Sequence, residues 1–145
     1  MNDFKEIQPG DDIKEVIKAA FDADLEVRGE WGYSKDLCTI IQESEELKQL
    51  EHTLATMRAY IEMNMTVEKE DRYGSINLNE KDRQEDDGFH KVIYEISAMK
   101  EDEYAAFIDE YKQGHAQEGF DISDHFKRRK ETTLIREVTH WFKVV

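Results

Sequence analysis

The sequence predicts an α+β fold, a two-layer arrangement of a mainly antiparallel sheet with helices on one face. Three observations carry this. Leu47, Leu50, Leu54, Met57, Ile61 and Met65 recur at steps of three and four, the spacing of one face of an α-helix. Val92, Tyr94, Ile96 and Ala98 alternate with Lys91, Glu95 and Ser97 at the period of two that separates the two sides of a strand. From Leu37 onward the order of elements reads strand, helix, strand, strand, helix, strand.

Composition agrees with a folded domain. The 145 residues are enough to bury about two-thirds of the surface an unfolded chain exposes, so neither a disulfide nor a structural metal is required. With 34 acidic against 20 basic residues the net charge is −14, which disfavours nucleic acid and anionic lipid and favours a basic partner or a small ligand. The start, Met1-Asn2-Asp3-Phe4-Lys5-Glu6, lacks the basic residues and apolar run of a secretory signal, and no stretch approaches eighteen apolar residues. A cytoplasmic protein without a membrane segment is therefore expected. The single cysteine, Cys38, lies in an apolar run and is read as a packed thiol.

Taken in order, Asp12 and Glu15 have capping-box spacing, and Ile13, Val16, Ile17, Ala20 and Phe21 form the stripe of a first helix. Leu25 to Arg28 alternates as a strand, and Leu37 to Gln42 forms a second, more fully apolar one. Between them, Gly29, Trp31, Gly32 and Tyr33 join two conformationally free residues to two flat rings with polar edges. This composition suits a ligand grip and equally suits rings folded over the core edge.

The long helix follows from Ser44, the expected N-cap, to about Val67. Its narrow stripe is compatible with a homodimer seam but is more simply a core face. Glu51, His52, Arg58 and Glu62 lie off the stripe and are assigned to solvent. Tyr73 to Leu78 reads as a short edge strand, and the charged residues around 80–88 as a mobile loop. His90 to Met99 is the clearest strand and is expected centrally. Glu101, Asp102 and Glu103 open a helix with the stripe Tyr104, Phe107, Ile108 and Tyr111, which should bury against the sheet and end at Gly114. The last segment, Thr132 to Val145, fits a helix through Leu134, Val138, Trp141 and Val145 and a strand through Leu134, Val138, Phe142 and Val144, and its threonine, isoleucine and valine content favours the strand. The resulting order suggests a ferredoxin-like βαββαβ arrangement with an N-terminal helix-strand extension.

Two further groups carry chemical interest. His115, Glu118, Asp121, Asp124 and His125 concentrate nitrogen and oxygen ligands of the type a divalent metal takes, although no recognised metal signature results. Asp121 or Ser123 as an N-cap, with Phe120, Ile122 and Phe126 as core anchors, explains the same segment without metal. Lys127, Arg128, Arg129 and Lys130 form the basic cluster and are candidates for anion binding. The expected function is a small acidic binding or regulatory module for a small molecule or protein, self-association included, with no cofactor required. The alternative is a hydrolase-like, metal-assisted enzyme using His115 to His125, or acid–base chemistry at His90 or His140. An acidic surface imitating nucleic acid is the weakest reading, because the carboxylates are interspersed with lysine and arginine.

Overall fold

The computed structural model describes residues 4–114 and 117–145. It is an α+β structure with a five-stranded mixed sheet and four α-helices: α1 (Ile13–Phe21), β1 (Val27–Gly29), β2 (Thr39–Ile41), α2 (Leu47–Tyr60), β3 (Tyr73–Asp86), β4 (Phe89–Lys100), α3 (Glu101–Gly114), α4 (Ile122–Thr132) and β5 (Leu134–Val144). The strand order is β1-β2-β5-β4-β3, with β2 and β5 parallel and every other neighbouring pair antiparallel. Among the described residues, no helix is long and apolar enough to cross a membrane.

This order departs from the ferredoxin-like expectation. The β2–α2–β3 unit joins two strands of the same direction, but two strands lie between them, where a split βαβ arrangement has one. The cause is the connection from β4 to β5. One helix would return the chain to the far end of the sheet, whereas two in series bring it back to the end it left, so β5 pairs antiparallel with β4.

The core lies between one sheet face and helices α1 and α2. Ile13 and Ile17 of α1 and Leu54, Ala55 and Ala59 of α2 join Val92, Tyr94, Ile96 and Ala98 of β4 and Phe142 of β5. Helix α1 is capped by the Asp12 side chain, which accepts from the Lys14 amide, and ends at Asp22 in the left-handed region. Helix α2 starts differently from expectation. Glu46, not Ser44, is at its N-cap, with no side-chain cap bond, and the helix passes after Tyr60 into a π-helical turn, Ile61–Met65.

The buried face of α2 is also rotated from the apolar stripe. Glu51, Arg58 and Glu62, expected in solvent, are 0%, 5% and 2% exposed, while Met65 of the stripe is 45% exposed. The helical spacing of 51, 58 and 62 keeps the three on one side. Each is matched by polar groups from distant strands, which sequence distance concealed. Leu54 and Ile61 are buried within the chain's own core, so the stripe is largely occupied internally.

Strand β3 is longer than expected. Residues 80–86, anticipated as a charged loop, continue the strand, and Asp87-Gly88 turns directly into β4 with φ of 52° and 79°. An Asp-Gly pair with both residues at positive φ is the tight turn whose twist matches paired strands. Most of the charged side chains lie outward on this sheet edge, so they do not oppose pairing. Two bulges interrupt β3, between Gly74 and Asn77 and between Glu80 and Asp82.

Helices α3 and α4 form a hairpin with a cluster of their own. The rings of Phe107, Tyr111, Phe120 and Phe126 surround the buried His125 at centroid distances of 5.7, 5.7, 5.8 and 5.2 Å. No residue of α3 or α4 belongs to the main described core, and the α3 stripe is only partly covered: Tyr104, Phe107 and Ile108 are half-buried and Tyr111 is exposed, with Tyr104, Phe107 and Tyr111 facing side chains of α4. Asp121 is the N-cap, accepting from the Asp124 amide. Ile122 and Phe126, expected as core anchors, are 45% and 48% exposed.

Candidate functional site

The glycine-aromatic connection is built into the core. Trp31 is buried, Gly32 donates its amide to Leu37 and accepts from the Trp141 amide, and its positive φ of 82° is strained for any residue with a side chain. A Cβ there would lie 2.0 Å from Cδ2 of His140. At Gly29 a Cβ would lie 2.6 Å from the Cys38 carbonyl. Both glycines therefore allow close approach of backbone to neighbours within the chain. Tyr33 accepts from the Ile7 amide at 2.9 Å and donates to Oε2 of Glu62 at 2.5 Å. Its phenol is raised above the ordinary range, first by burial and then by that carboxylate.

The Tyr33 bond belongs to a buried ionic group. Arg58 donates to Oε2 of Glu62 at 3.2 Å and to the Thr139 carbonyl at 2.9 Å, and its guanidinium lies 4.0 Å from the centre of the Tyr33 ring. Arg136 reaches the other Glu62 oxygen at 2.9 Å. The group joins α2, β5 and the N-terminal segment and leaves Glu62 well partnered.

Next to it, the Thr39 hydroxyl gives its one proton to the Glu30 carbonyl at 2.6 Å, so His140 must donate from Nε2 across the 2.9 Å contact to Thr39. Complete burial, reinforced by the Arg58 charge, holds His140 neutral, well below the ordinary histidine range. In that tautomer Nδ1 is an acceptor, and it is buried without a partner.

The proposed metal ligands are spread over several roles. Glu118 is exposed, Asp121 caps α4, Asp124 binds Nε of Arg128 at 2.9 Å, and Nδ1 of His125 faces Oε1 of Glu110 at 3.2 Å. Among the described residues, no group of three or more histidine, cysteine, aspartate or glutamate side chains could hold a metal ion. His115 lies outside the described residues. Glu110 receives the Arg128 guanidinium through both oxygens, one at 3.0 Å, and Arg128 followed by His125 lowers its carboxyl to about 2.

The basic cluster divides in two. Arg128 is consumed by Glu110 and Asp124, whereas Arg129 and Lys130 line a small polar pocket against β3 and β4. Lys127 is exposed and lies off that pocket wall.

The arrangement with the clearest chemical capacity lies at the N-terminal part of α2. The alternation of β4 directs His90 to the same side as Val92 and Tyr94, toward the helix. On β3, Leu78 and Glu80 occupy that side, and an uninterrupted strand would place Asp82 and Gln84 there next. The bulge after Glu80 shifts the phase by one residue and brings Arg83 and Glu85 round instead, opposite Val92 and His90.

Buried Glu51 then receives both partners. Its Oε1 takes Nη2 of Arg83 at 3.0 Å, and its Oε2 lies 2.8 Å from Nδ1 of His90. Arg83 also binds Glu80 at 2.7 Å and Glu85 at 3.0 Å, and its hydrogen bond lowers the Glu80 carboxyl below the usual range.

Nδ1 faces Glu51, which leaves Nε2 as the ring nitrogen on the cleft side. Glu51 lies behind the ring, off the wall of a cleft of about 490 Å³. Glu85, 3.8 Å from Nε2, is on that wall with His90, Arg83, Glu43, Glu45, Glu46 and Lys48. The cleft can hold a small polar molecule against an oriented imidazole. His90 was legible as an acid–base candidate. Glu51 and Arg83 were not, because their charge pointed to solvent and only the β3 bulge brings them together. No family model, curated protein or solved structure matches the chain.

Proposed function

We propose that this protein is a binding module whose ligand site is the cleft beside His90, and that the ligand is a small cation such as an amine or guanidinium compound. The observation that carries the proposal is the imidazole of His90, held from behind by buried Glu51, on a cleft wall that also bears Glu43, Glu45, Glu46 and Glu85. Arg83 is already engaged by Glu51, Glu80 and Glu85, which leaves Lys48 as the one uncommitted cation of that wall among the described residues. The local field therefore favours positive charge, in keeping with the net charge of −14.

The test is an NMR titration of the full chain with spermidine, arginine and lysine at constant ionic strength. Saturable shifts at the His90 ring and the amides of residues 43–49 are expected, weakened at least about tenfold when Glu45→Gln and Glu46→Gln are combined, a loss of about 1.4 kcal/mol. Acetate should shift nothing. An absence of saturable change with all three amines would sink the reading.

A second reading, acid–base catalysis by His90, is favoured by the same 2.8 Å contact, since a carboxylate that orients Nδ1–H leaves Nε2 to move a proton. The cleft wall carries no hydroxyl or thiol, so this reading is confined to proton transfer or to activation of water.

A further inference from the structure

A separate pocket of about 200 Å³ opens where β3 and β4 meet the α3–α4 hairpin. Its wall combines Ser75 and Asn77 of β3, Ser97 of β4, Tyr104 of α3, Arg129 and Lys130 of α4, and Thr133. The β3 bulge builds one side of it. Residues 75 and 76 together stand opposite Ala98, and Ser75 takes a positive φ of 52°, a conformation rare for a residue with a side chain. The extra residue pairs Asn77 with Ser97, and both line the wall together with Ser75.

Arg129 extends from α4 over the rings of Tyr104 and Phe126, at 5.8 and 5.5 Å from their centres, which limits the directions its guanidinium can take. Lysine and arginine at the C-terminal end of a helix complement its dipole, and that alone accounts for cations in the last turn of α4. It does not account for the rest of the wall.

No carboxylate lines this pocket, in a chain with 34 acidic residues. Neither Arg129 nor Lys130 forms an ion pair among the described residues, while the adjacent Arg128 is taken by two acids. The nearby acid Glu101 is turned to Asn64, whose Nδ2 donates to it at 2.9 Å. Two cations without carboxylate partners, three aliphatic hydroxyls, a phenol and an amide thus converge on one small volume.

We propose that this pocket binds a phosphate group. Arg129 supplies a planar pair of donors to two of its oxygens, Lys130 a point charge, and the Ser75 and Ser97 hydroxyls donate to the remainder. A single phosphate is compatible with the acidic whole because opposing charges beyond about 8 Å are screened at physiological salt. The site is independent of the cleft beside His90 and stands or falls separately.

The test is an NMR titration of the full chain with inorganic phosphate, then with phosphoserine, at constant ionic strength set by sodium chloride. Saturable shifts are expected at the amides of Ser75, Asn77, Ser97 and Thr133. Arg129→Gln and Lys130→Gln should each weaken binding about tenfold or more, while Lys127→Gln, which removes a cation off the pocket wall, leaves it unchanged. Tighter binding of phosphoserine than of phosphate would identify an ester as the better source, and the reverse order the free ion. Shifts that never saturate for either probe, or an equal loss in the Lys127→Gln protein, would overturn the proposal. A preserved amide spectrum in each variant shows that a loss is not unfolding.

Discussion

Nδ1 of His90 lies 2.8 Å from Oε2 of Glu51, a carboxylate with no exposed surface, and the second oxygen of that carboxylate is held by Arg83. One charged residue on the buried side of α2 therefore ties the helix to both strands of the β3–β4 hairpin. Burial removes the water that would otherwise solvate the carboxylate, so the strands must supply its partners.

Removing this carboxylate leaves Arg83 and His90 beside a void. Glu51→Ala is expected to destabilise the fold by about 3 to 5 kcal/mol, the range for breaking a buried ion pair from one side. Combining Glu51→Met with Arg83→Met should recover part of that loss by making the Arg83 contact apolar, while His90 still lacks its acceptor. Urea unfolding of the three proteins checks both, and a single variant as stable as the parent would show that the pair is solvated.

Gly32 and Gly119 separate packing from backbone strain. Both have positive φ, 82° and 88°, but a Cβ at Gly32 meets the His140 ring while one at Gly119 meets nothing within 4 Å. Gly119→Ala should cost about 1 to 2 kcal/mol from the left-handed conformation alone. Gly32→Ala should cost about 3 kcal/mol or more, because a buried ring must also move. Thermal unfolding of the two variants measures the difference.

The Tyr33 phenol holds its proton more tightly in the folded chain than in the unfolded one, through burial and the Glu62 carboxylate. Its contribution to stability is therefore complete below the ordinary phenol value of about 10 and declines as pH rises through the folded value. Tyr94, buried with its hydroxyl unpartnered, is raised in the same direction. Ultraviolet titration should show late-ionising phenols, one of which disappears in Tyr33→Phe.

Glu110 gives the opposite dependence. Arg128 and His125 hold its carboxyl at about 2, so the pairing contributes fully above the unfolded carboxylate value of about 4.3 and is lost as pH falls toward 2. A carboxyl carbon titration by NMR should place the Glu110 midpoint near 2, and Arg128→Gln should move it upward. A midpoint in the ordinary range in the parent protein would show that the Arg128 contact does not form in solution.

Local patterns were legible wherever neighbours in sequence decide the outcome. The Ile13 and Ile17 stripe, the Asp12 cap and the alternation of β4 follow from residues within a few positions of one another, whereas Asp121 over Ser123 as the cap of α4 and strand over helix in the last segment are choices that the structure makes. The Asp87-Gly88 turn is equally local, but the charged residues around it fit a solvated loop as well as a hairpin. The polar side of α2 could not be read this way, since Glu51 depends on Arg83 and His90, and Glu62 on Tyr33 and Arg136.

Periodicity and capping act over one or two turns of chain, so the α+β class, the helices and the main strands are encoded locally. The strand order, the buried charge on α2, and which histidine faces a carboxylate beside a cleft are set by contacts between distant parts of the chain. These depend on how a two-helix return reverses β5 and on how one extra residue in β3 rotates Arg83 and Glu85 toward the helix. A charged side chain carries no local mark of burial. Whether it faces water or a partner is settled by groups that approach from far along the chain.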